Sequence, residues 1–188
     1  LQEVVSIENC AAEKDQARYI AGALGFEMTM GENRRHNGGG YGNVLLSRFP
    51  IVASRNVDIT VKGREPRGCL HAGLQIEGET VVDIYNLHLG TAFVERRHQA
   101  RRLLDTAVLA RRHNTPRIML GDFNEWTHGL ASRLLKHHFP SSNLRPHIGR
   151  RRSYPGILPV LNLDHIYYDH HLVLENAEIH RSRKALVA

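Results

Sequence analysis

Cysteine is scarce in this chain: Cys10 and Cys69 are the two in 188 residues. Two thiols cannot build a disulfide framework, and these lack metal-type spacing, so both read as buried or inert side chains. Long apolar runs are absent as well, and none approaches the roughly 20 residues required to cross a bilayer. With no signal peptide visible either, the expected location is the cytoplasm. No internal repeat, low-complexity tract or linker divides the chain, which reads as a single domain over residues 1–188. A glycine-rich stretch is present at His36-Asn37-Gly38-Gly39-Gly40-Tyr41, but the Lys-Ser/Thr of a nucleotide-binding loop does not follow it. It reads as a flexible turn before a strand, where small residues admit unusual backbone angles.

What is present is an ordinary globular composition, 41% hydrophobic and 23% charged, in a chain long enough to bury a sizeable core. The charge is not balanced. With 25 Lys and Arg against 19 Asp and Glu, the formal net charge is +6, and a basic surface attracts polyanions such as nucleic acid or an anionic membrane. Arg96-Arg97, Arg101-Arg102 and Arg111-Arg112 fall on one helical pattern from Phe93 to His113. Leu103, Leu104, Ala107 and Val108 form its buried stripe, so these arginines are expected mostly to face water. Arg150-Arg151-Arg152 sits in an irregular stretch before Ser153-Tyr154-Pro155, and two readings stay open for it: contact with a substrate phosphate or lipid headgroup, or a solvated loop. The 13 histidines include the pairs His137-His138 and His170-His171. Neighbouring side chains diverge on a strand or helix, so both pairs read as surface residues.

The stretch Gly121-Asp122-Phe123-Asn124-Glu125-Trp126 carries the most chemistry. Arg117-Ile118-Met119-Leu120 before it reads as a short buried strand stopping at Gly121, and strand alternation places Asp122 and Asn124 on one face. A hard cation such as Mg²⁺ takes oxygen ligands, commonly one or two carboxylates completed by water and substrate phosphate. Asp122 suits that demand, and the Asn124 amide suits a phosphate oxygen or an attacking water. A strand ending in an Asx-type turn is the plainer reading of the same residues. Trp126 reads as a packing residue.

Two other strands supply company. Leu1-Gln2-Glu3-Val4-Val5 is apolar but interrupted by an acid, and a carboxylate is costly to bury unless it is paired or holds a metal, which makes Glu3 a ligand candidate. Along Val81-Val82-Asp83-Ile84-Tyr85-Asn86-Leu87-His88-Leu89 the period of two puts Val82, Ile84, Asn86 and His88 on one face. The apolar part of that face is expected to be core and the polar part a site.

Six ordered pieces, Leu1-Gln2-Glu3, Tyr41 to Pro50, Glu65-Pro66-Arg67-Gly68, Asn86-Leu87-His88-Leu89-Gly90, Gly121-Asp122-Phe123-Asn124 and Leu163-Asp164-His165-Ile166-Tyr167, resemble the endonuclease/exonuclease/phosphatase superfamily of pancreatic deoxyribonuclease-like proteins. The resemblance implies an α/β fold, a four-layer α/β/β/α sandwich with the site at the sheet edges, and a Mg²⁺-dependent phosphohydrolase in which Mn²⁺ can substitute. By the same resemblance Glu3 is the principal metal ligand, joined by Asp122. Asp122 and Asn124 position the water and bind the scissile phosphate. His88 hydrogen-bonds or protonates near the phosphate with Asn86 beside it, and Arg67 is a supporting cation. Asp164 corresponds to the acid that orients a second histidine, with His165 in a variable position.

That second histidine belongs to a Ser-Asp-His motif expected where the chain ends, and a metal-site asparagine is expected on a strand before Leu1. The 188 residues therefore read as part of a longer polypeptide. The expected activity is metal-assisted attack of water on a phosphodiester, with nucleic acid as the first-ranked substrate. A lipid-headgroup, sphingomyelinase-like phosphodiesterase is the second reading, since the segments look most like small bacterial members of the family, some of which work near membranes. A non-catalytic polyanion-binding module is the third. An anionic membrane surface is a candidate partner, and a monomer without an obligate protein partner is expected.

The coarse element reading is a helix from Asp15 to Leu24 and strands over Phe26–Met30, Asn43–Ser47, Cys69–Gln75 and Asn162–Tyr168. An outer segment is expected over Ile51–Val61, a helix over Gly129–His137 and a loop over Asn143–Gly156.

Overall fold

Asp15 begins the first helix from outside it. Its Oδ1 accepts from Arg18 N at 3.0 Å, and Gly25 closes the other end in the left-handed conformation, so α1 (Gln16–Leu24) is capped at both termini. The computed structural model describes residues 1–7, 15–105, 115–125, 133–135, 138–139 and 163–178. Cys10, Ala107, Val108, Arg111-Arg112, Trp126, His137, Arg150-Arg151-Arg152 and the loop of residues 143–156 lie outside the described residues.

The strands β2 (Glu27–His36) and β3 (Gly39–Ser47) form a hairpin whose two-residue turn, Asn37-Gly38, has φ of 49° and 79°. Such a turn matches the right-handed twist of its strands. The glycine-rich stretch is therefore the hairpin corner and the start of β3, and both strands are longer than their apolar residues suggest. β1 (Val4–Ser6) pairs with the other side of β3, giving a three-stranded sheet in the order β1-β3-β2.

A second sheet has five strands in the order β4-β5-β6-β7-β8: β4 (Ile51–Asp58), β5 (Gly68–Glu77), β6 (Thr80–His88), β7 (Arg117–Asp122) and β8 (Asp164–Tyr168). The β6 and β7 strands run parallel, so the chain must cross over between them, and α2 (Phe93–Asp105) lies on that crossover. The outer segment expected from Ile51 is the edge strand β4.

Alternation along β6 divides the core in two. Val82 and Ile84 join Leu74, Ile118, Leu120, Leu45 and Phe49 in the apolar layer between the sheets. Tyr85, Leu87 and Leu89 point the other way, to Met119, Phe123 and the α2 residues Ala100 and Leu103. Ala17 and Ala21 of α1 are buried against the small sheet. The layers are thus helix, sheet, sheet, helix, the α/β/β/α sandwich. Cys69 is wholly buried in the helix-side core, and burial pushes its thiol up to about 12.

Candidate active site

The face of β6 that is apolar at Val82 and Ile84 becomes polar at Asn86 and His88, and the site forms at that end of the inter-sheet layer. Register places it. His88 sits beside Asp122 in the parallel pair, and Asp122 sits opposite Asp164 in the antiparallel pair with β8. Residues directly across a sheet share a face, so His88, Asp122 and Asp164 form one row, with Arg67 immediately before the neighbouring strand β5.

Glu3 reaches this row from the small sheet. It is not part of a strand, as its apolar neighbours suggested; it precedes β1 with φ of 56°. Its Oε1 lies 3.3 Å from Arg67 Nη1 and 3.6 Å from His88 Nδ1. The buried Arg67 also donates from Nη2 to Glu65 Oε2 at 2.9 Å, and its Nη1 lies 3.1 Å from His88 Nδ1. One guanidinium therefore ties Glu3, Glu65 and His88 together.

Asp122 and Asn124 converge for a different reason from the one the strand period supplies. The strand ends at Asp122, whose Oδ1 accepts from Asn124 N at 2.7 Å, and Asn124 has φ of 49°. This is the Asx-type turn, and it builds the site: it occupies one carboxylate oxygen and leaves Oδ2 facing His88 Nε2 at 3.8 Å. The Asn124 Nδ2 donates to Leu89 O at 2.7 Å and lies 3.0 Å from His88 Nε2. Glu3 and Asn124 both hold the left-handed conformation, which costs a non-glycine residue about 1 kcal/mol or more and collects at functional sites. Gly121 is fixed by backbone, since its φ is 143° and a Cβ there would overlap the Leu87 carbonyl oxygen.

The electrostatics are unequal. Burial, with the negative charges of Asp164 and Glu3, raises the Asp122 carboxyl above its usual range, against the opposing pull of the Asn124 amide and His88. Burial lowers His88, and the Arg67 charge lowers it further, against Asp122, Glu3 and Glu65. Burial works against the ionised Glu3, but His88, Arg67 and the Tyr41 hydroxyl outweigh it, so Glu3 titrates below the ordinary range.

Asn86 departs from its expected place at a substrate phosphate. It is fully buried; its Oδ1 accepts from Gln2 Nε2 at 2.8 Å, and its Nδ2 donates to Val44 O at 3.0 Å and Leu1 O at 3.2 Å. With both amide ends engaged it is a strut between the sheets that fixes the chain just before Glu3. Asp164 is exposed on the cleft side, whereas His165 packs edge-on to Phe123 on the helix side, with ring centroids 5.3 Å apart. His170 and His171 are exposed.

Several participants escaped sequence reasoning. Tyr41 and Glu65 lie within the quoted pieces without a role assigned to them. The buried Glu95 and Gln99 of α2 touch the loop after His88, and a signal existed: counting back from buried Leu103 by four and eight lands on both. Arg97, Arg101 and Arg102 are exposed as expected, but Arg96 is half-buried, donating to Thr91 O and to Gly90 O, the latter at 3.3 Å.

Oxygen donors dominate the metal-side chemistry. Among the described residues no three His, Cys, Asp or Glu side chains converge as a closed metal cluster. Glu3 and Asp122 instead offer oxygen donors suited to the open coordination of a hard divalent cation, and the Asp164 carboxylate opposite Asp122 adds negative charge beside them. His88 does not fit as a ligand, because both ring nitrogens face protein donors.

A four-layer sandwich with its polar row at one end of the inter-sheet layer is the architecture of deoxyribonuclease-like proteins, which include nucleases and phosphatases. The chain belongs to the Endonuclease/Exonuclease/phosphatase family, whose sequence profile matches residues 1–185. It is 30% identical over 161 residues to "Uncharacterized protein YbhP" of Escherichia coli, covering 79% of this chain and 59% of that one, so it spans about three-fifths of this curated relative's length. The fold matches a Bacteroides thetaiotaomicron mannosyl-6-phosphatase with a TM-score of 0.71 at 16% identity, over 90% of this chain and 69% of that one. It also matches the sulfate-bound catalytic domain of human Nocturnin with a TM-score of 0.64 at 22% identity, over 85% and 66% of the two chains. No described helix is long and apolar enough to cross a membrane.

Proposed function

We propose that this chain carries the site of a divalent-metal-dependent phosphodiester hydrolase. The observation that carries the reading is the convergence of Glu3, Arg67, His88, Asp122 and Asn124 at one end of the cleft, from four separate stretches of sequence. When bound, Mg²⁺ would be held by Glu3 and Asp122 and would neutralise charge developing on the phosphoryl oxygens. Arg67, buried and already facing the cleft, adds fixed positive charge beside the phosphate. A donor preorganised in a water-poor site is effective because it need not reorient as the reaction proceeds. Asp122 Oδ2 and the Asn124 Oδ1 accept hydrogen bonds from the attacking water and orient it. Neutral His88 stands between the Asn124 amide and the Arg67 guanidinium and accepts from one of them, and Asp164 supplies negative charge beside Asp122.

Nucleic acid is the favoured substrate because the chain is basic, at +6, and Arg97 and Arg101 stand exposed on α2, whose first turn follows the His88 loop. The test is hydrolysis of bis(p-nitrophenyl) phosphate, p-nitrophenyl phosphate, plasmid DNA and sphingomyelin vesicles, with Mg²⁺ or Mn²⁺ and with EDTA, beside Asp122→Ala. Metal-dependent turnover of the diester that is lost in Asp122→Ala supports the reading. Preference for the monoester or for vesicles would reassign the substrate. Salt-sensitive DNA binding without turnover in any metal would replace the enzyme with a polyanion-binding module.

A further inference from the structure

We propose that Gln99, held by Glu95, is a positioning residue for Asn124, an inference that rests on the hydrolase reading for its catalytic consequence but not for its geometry. One peptide unit, Leu89–Gly90, connects the two side chains. Asn124 Nδ2 donates to the carbonyl of Leu89 at 2.7 Å, and this bond decides which way the amide oxygen of Asn124 points. The N–H on the other side of that same peptide belongs to Gly90, and it donates to Gln99 Oε1 at 2.9 Å. A peptide is planar and trans, so its C=O and N–H rotate together. Holding the N–H of Gly90 therefore holds the carbonyl that aims Asn124.

Gln99 is itself oriented. It is fully buried, and its Nε2 donates to Glu95 Oε1 at 3.3 Å, which leaves Oε1 as the end that faces Gly90. The Glu95 carboxylate also lies against Gly90 so closely that a Cβ on that residue would overlap it. Arg96 takes the carbonyl of Gly90, completing the grip on the loop from one turn of α2. The relay runs from Glu95 to Gln99, through the Leu89–Gly90 peptide, to Asn124 and His88. Two buried polar side chains on the core face of a helix would weaken packing if they did nothing else, since burial of an amide and a carboxylate has to be offset by bonds.

The test uses the full chain with Gln99→Leu, Glu95→Ala and Glu95→Gln, and Leu103→Ala as a control for loss of stability in the same helix. Two readouts are taken: the side-chain amide signals of Asn124 and the backbone amide of Gly90 in ¹H–¹⁵N spectra, and kcat and KM for bis(p-nitrophenyl) phosphate with Mg²⁺. Gln99→Leu is expected to shift both amide signals and to lower kcat by about 10- to 100-fold with KM little changed, the scale of a misplaced catalytic group. Glu95→Gln keeps an accepting oxygen and should lose less than Glu95→Ala. Leu103→Ala should lower the melting temperature while leaving kcat near wild type.

Unmoved Asn124 signals in a folded Gln99→Leu, or unchanged kcat beside an active wild type, would overturn the positioning role and leave the hydrolase reading standing. Shifted Asn124 signals in a wild type that turns over no diester would support the relay and count against the hydrolase reading. If Gln99→Leu does not fold, Glu95→Ala carries the same expectations, and an Asn124 signal unmoved there overturns the proposal.

Discussion

His88 stands between two donors: Arg67 Nη1 lies 3.1 Å from its Nδ1 and Asn124 Nδ2 lies 3.0 Å from its Nε2. The Asn124 amide cannot be reversed to relieve this, because Nδ2 also meets the Leu89 carbonyl, which only accepts. A neutral imidazole has one lone pair to offer, and an imidazolium has none. Adding a proton would set N–H against N–H on both sides, so the surroundings disfavour the charged ring. Burial and then the Arg67 charge are the causes of its lowered pKa.

Arg67→Met should therefore raise the His88 pKa, since it removes a positive neighbour while retaining bulk. The check is an NMR titration of the His88 ring protons in both proteins. An unchanged midpoint would show that Arg67 does not set the charge of this ring. The wild-type midpoint is expected below the ordinary histidine value of about 6.5.

Asp122→Asn separates function from stability. Asn keeps an oxygen for the Asn124 N–H but removes the charge that burial, Asp164 and Glu3 all oppose. Turnover should fall by about 10²- to 10³-fold, the usual scale for losing one group that acts on developing charge. The melting temperature at neutral pH without metal should rise, because a strained active-site charge has been relieved. Activity and melting temperature falling together would instead mean that Asp122 mainly supports the fold.

The limits of sequence reading are physical. Strand periodicity located Val82, Ile84, Asn86 and His88 on one face because β6 is regular and half of that face is core. It failed at Glu3 and Asn124, because both leave the extended conformation, where a period of two no longer applies. Their convergence is set by a turn and by pairing between distant segments. Gln99 escaped for another reason: a polar residue on a helix ordinarily faces water, and only its spacing from Leu103 marked it as buried.

Asp15 is expected to contribute to stability in acid. Burial disfavours its charge, but the Ser6 hydroxyl at 2.5 Å and the Arg18 and Ile7 amides outweigh that, so the folded carboxyl lies below its usual range. A depressed folded pKa contributes stability that is complete above the unfolded value of about 3.9 and is lost as pH falls through the folded value. Asp15→Asn should accordingly flatten the fall in melting temperature below about pH 4, relative to wild type. Asp15→Ala should cost about 1–2 kcal/mol at neutral pH, the typical scale for losing a helix N-cap, as measured by denaturant unfolding.

Asn86 supplies the sharpest test of what the polar end of β6 does. As a strut it bonds Gln2, Leu1 and Val44 and has no exposed surface to offer a phosphate. Asn86→Ala should destabilise the protein by about 1–3 kcal/mol, the cost of leaving buried polar partners unmet. Where the variant remains folded, KM for a diester should stay close to wild type, while kcat drops because the strut anchors the residues that lead into Glu3. Arg67→Met should do the reverse and raise KM, since it removes charge that faces the substrate. A KM increase in Asn86→Ala matching that of Arg67→Met would return Asn86 to the phosphate and remove the strut as its main role. Steady-state kinetics below the melting temperature of each variant decides between them.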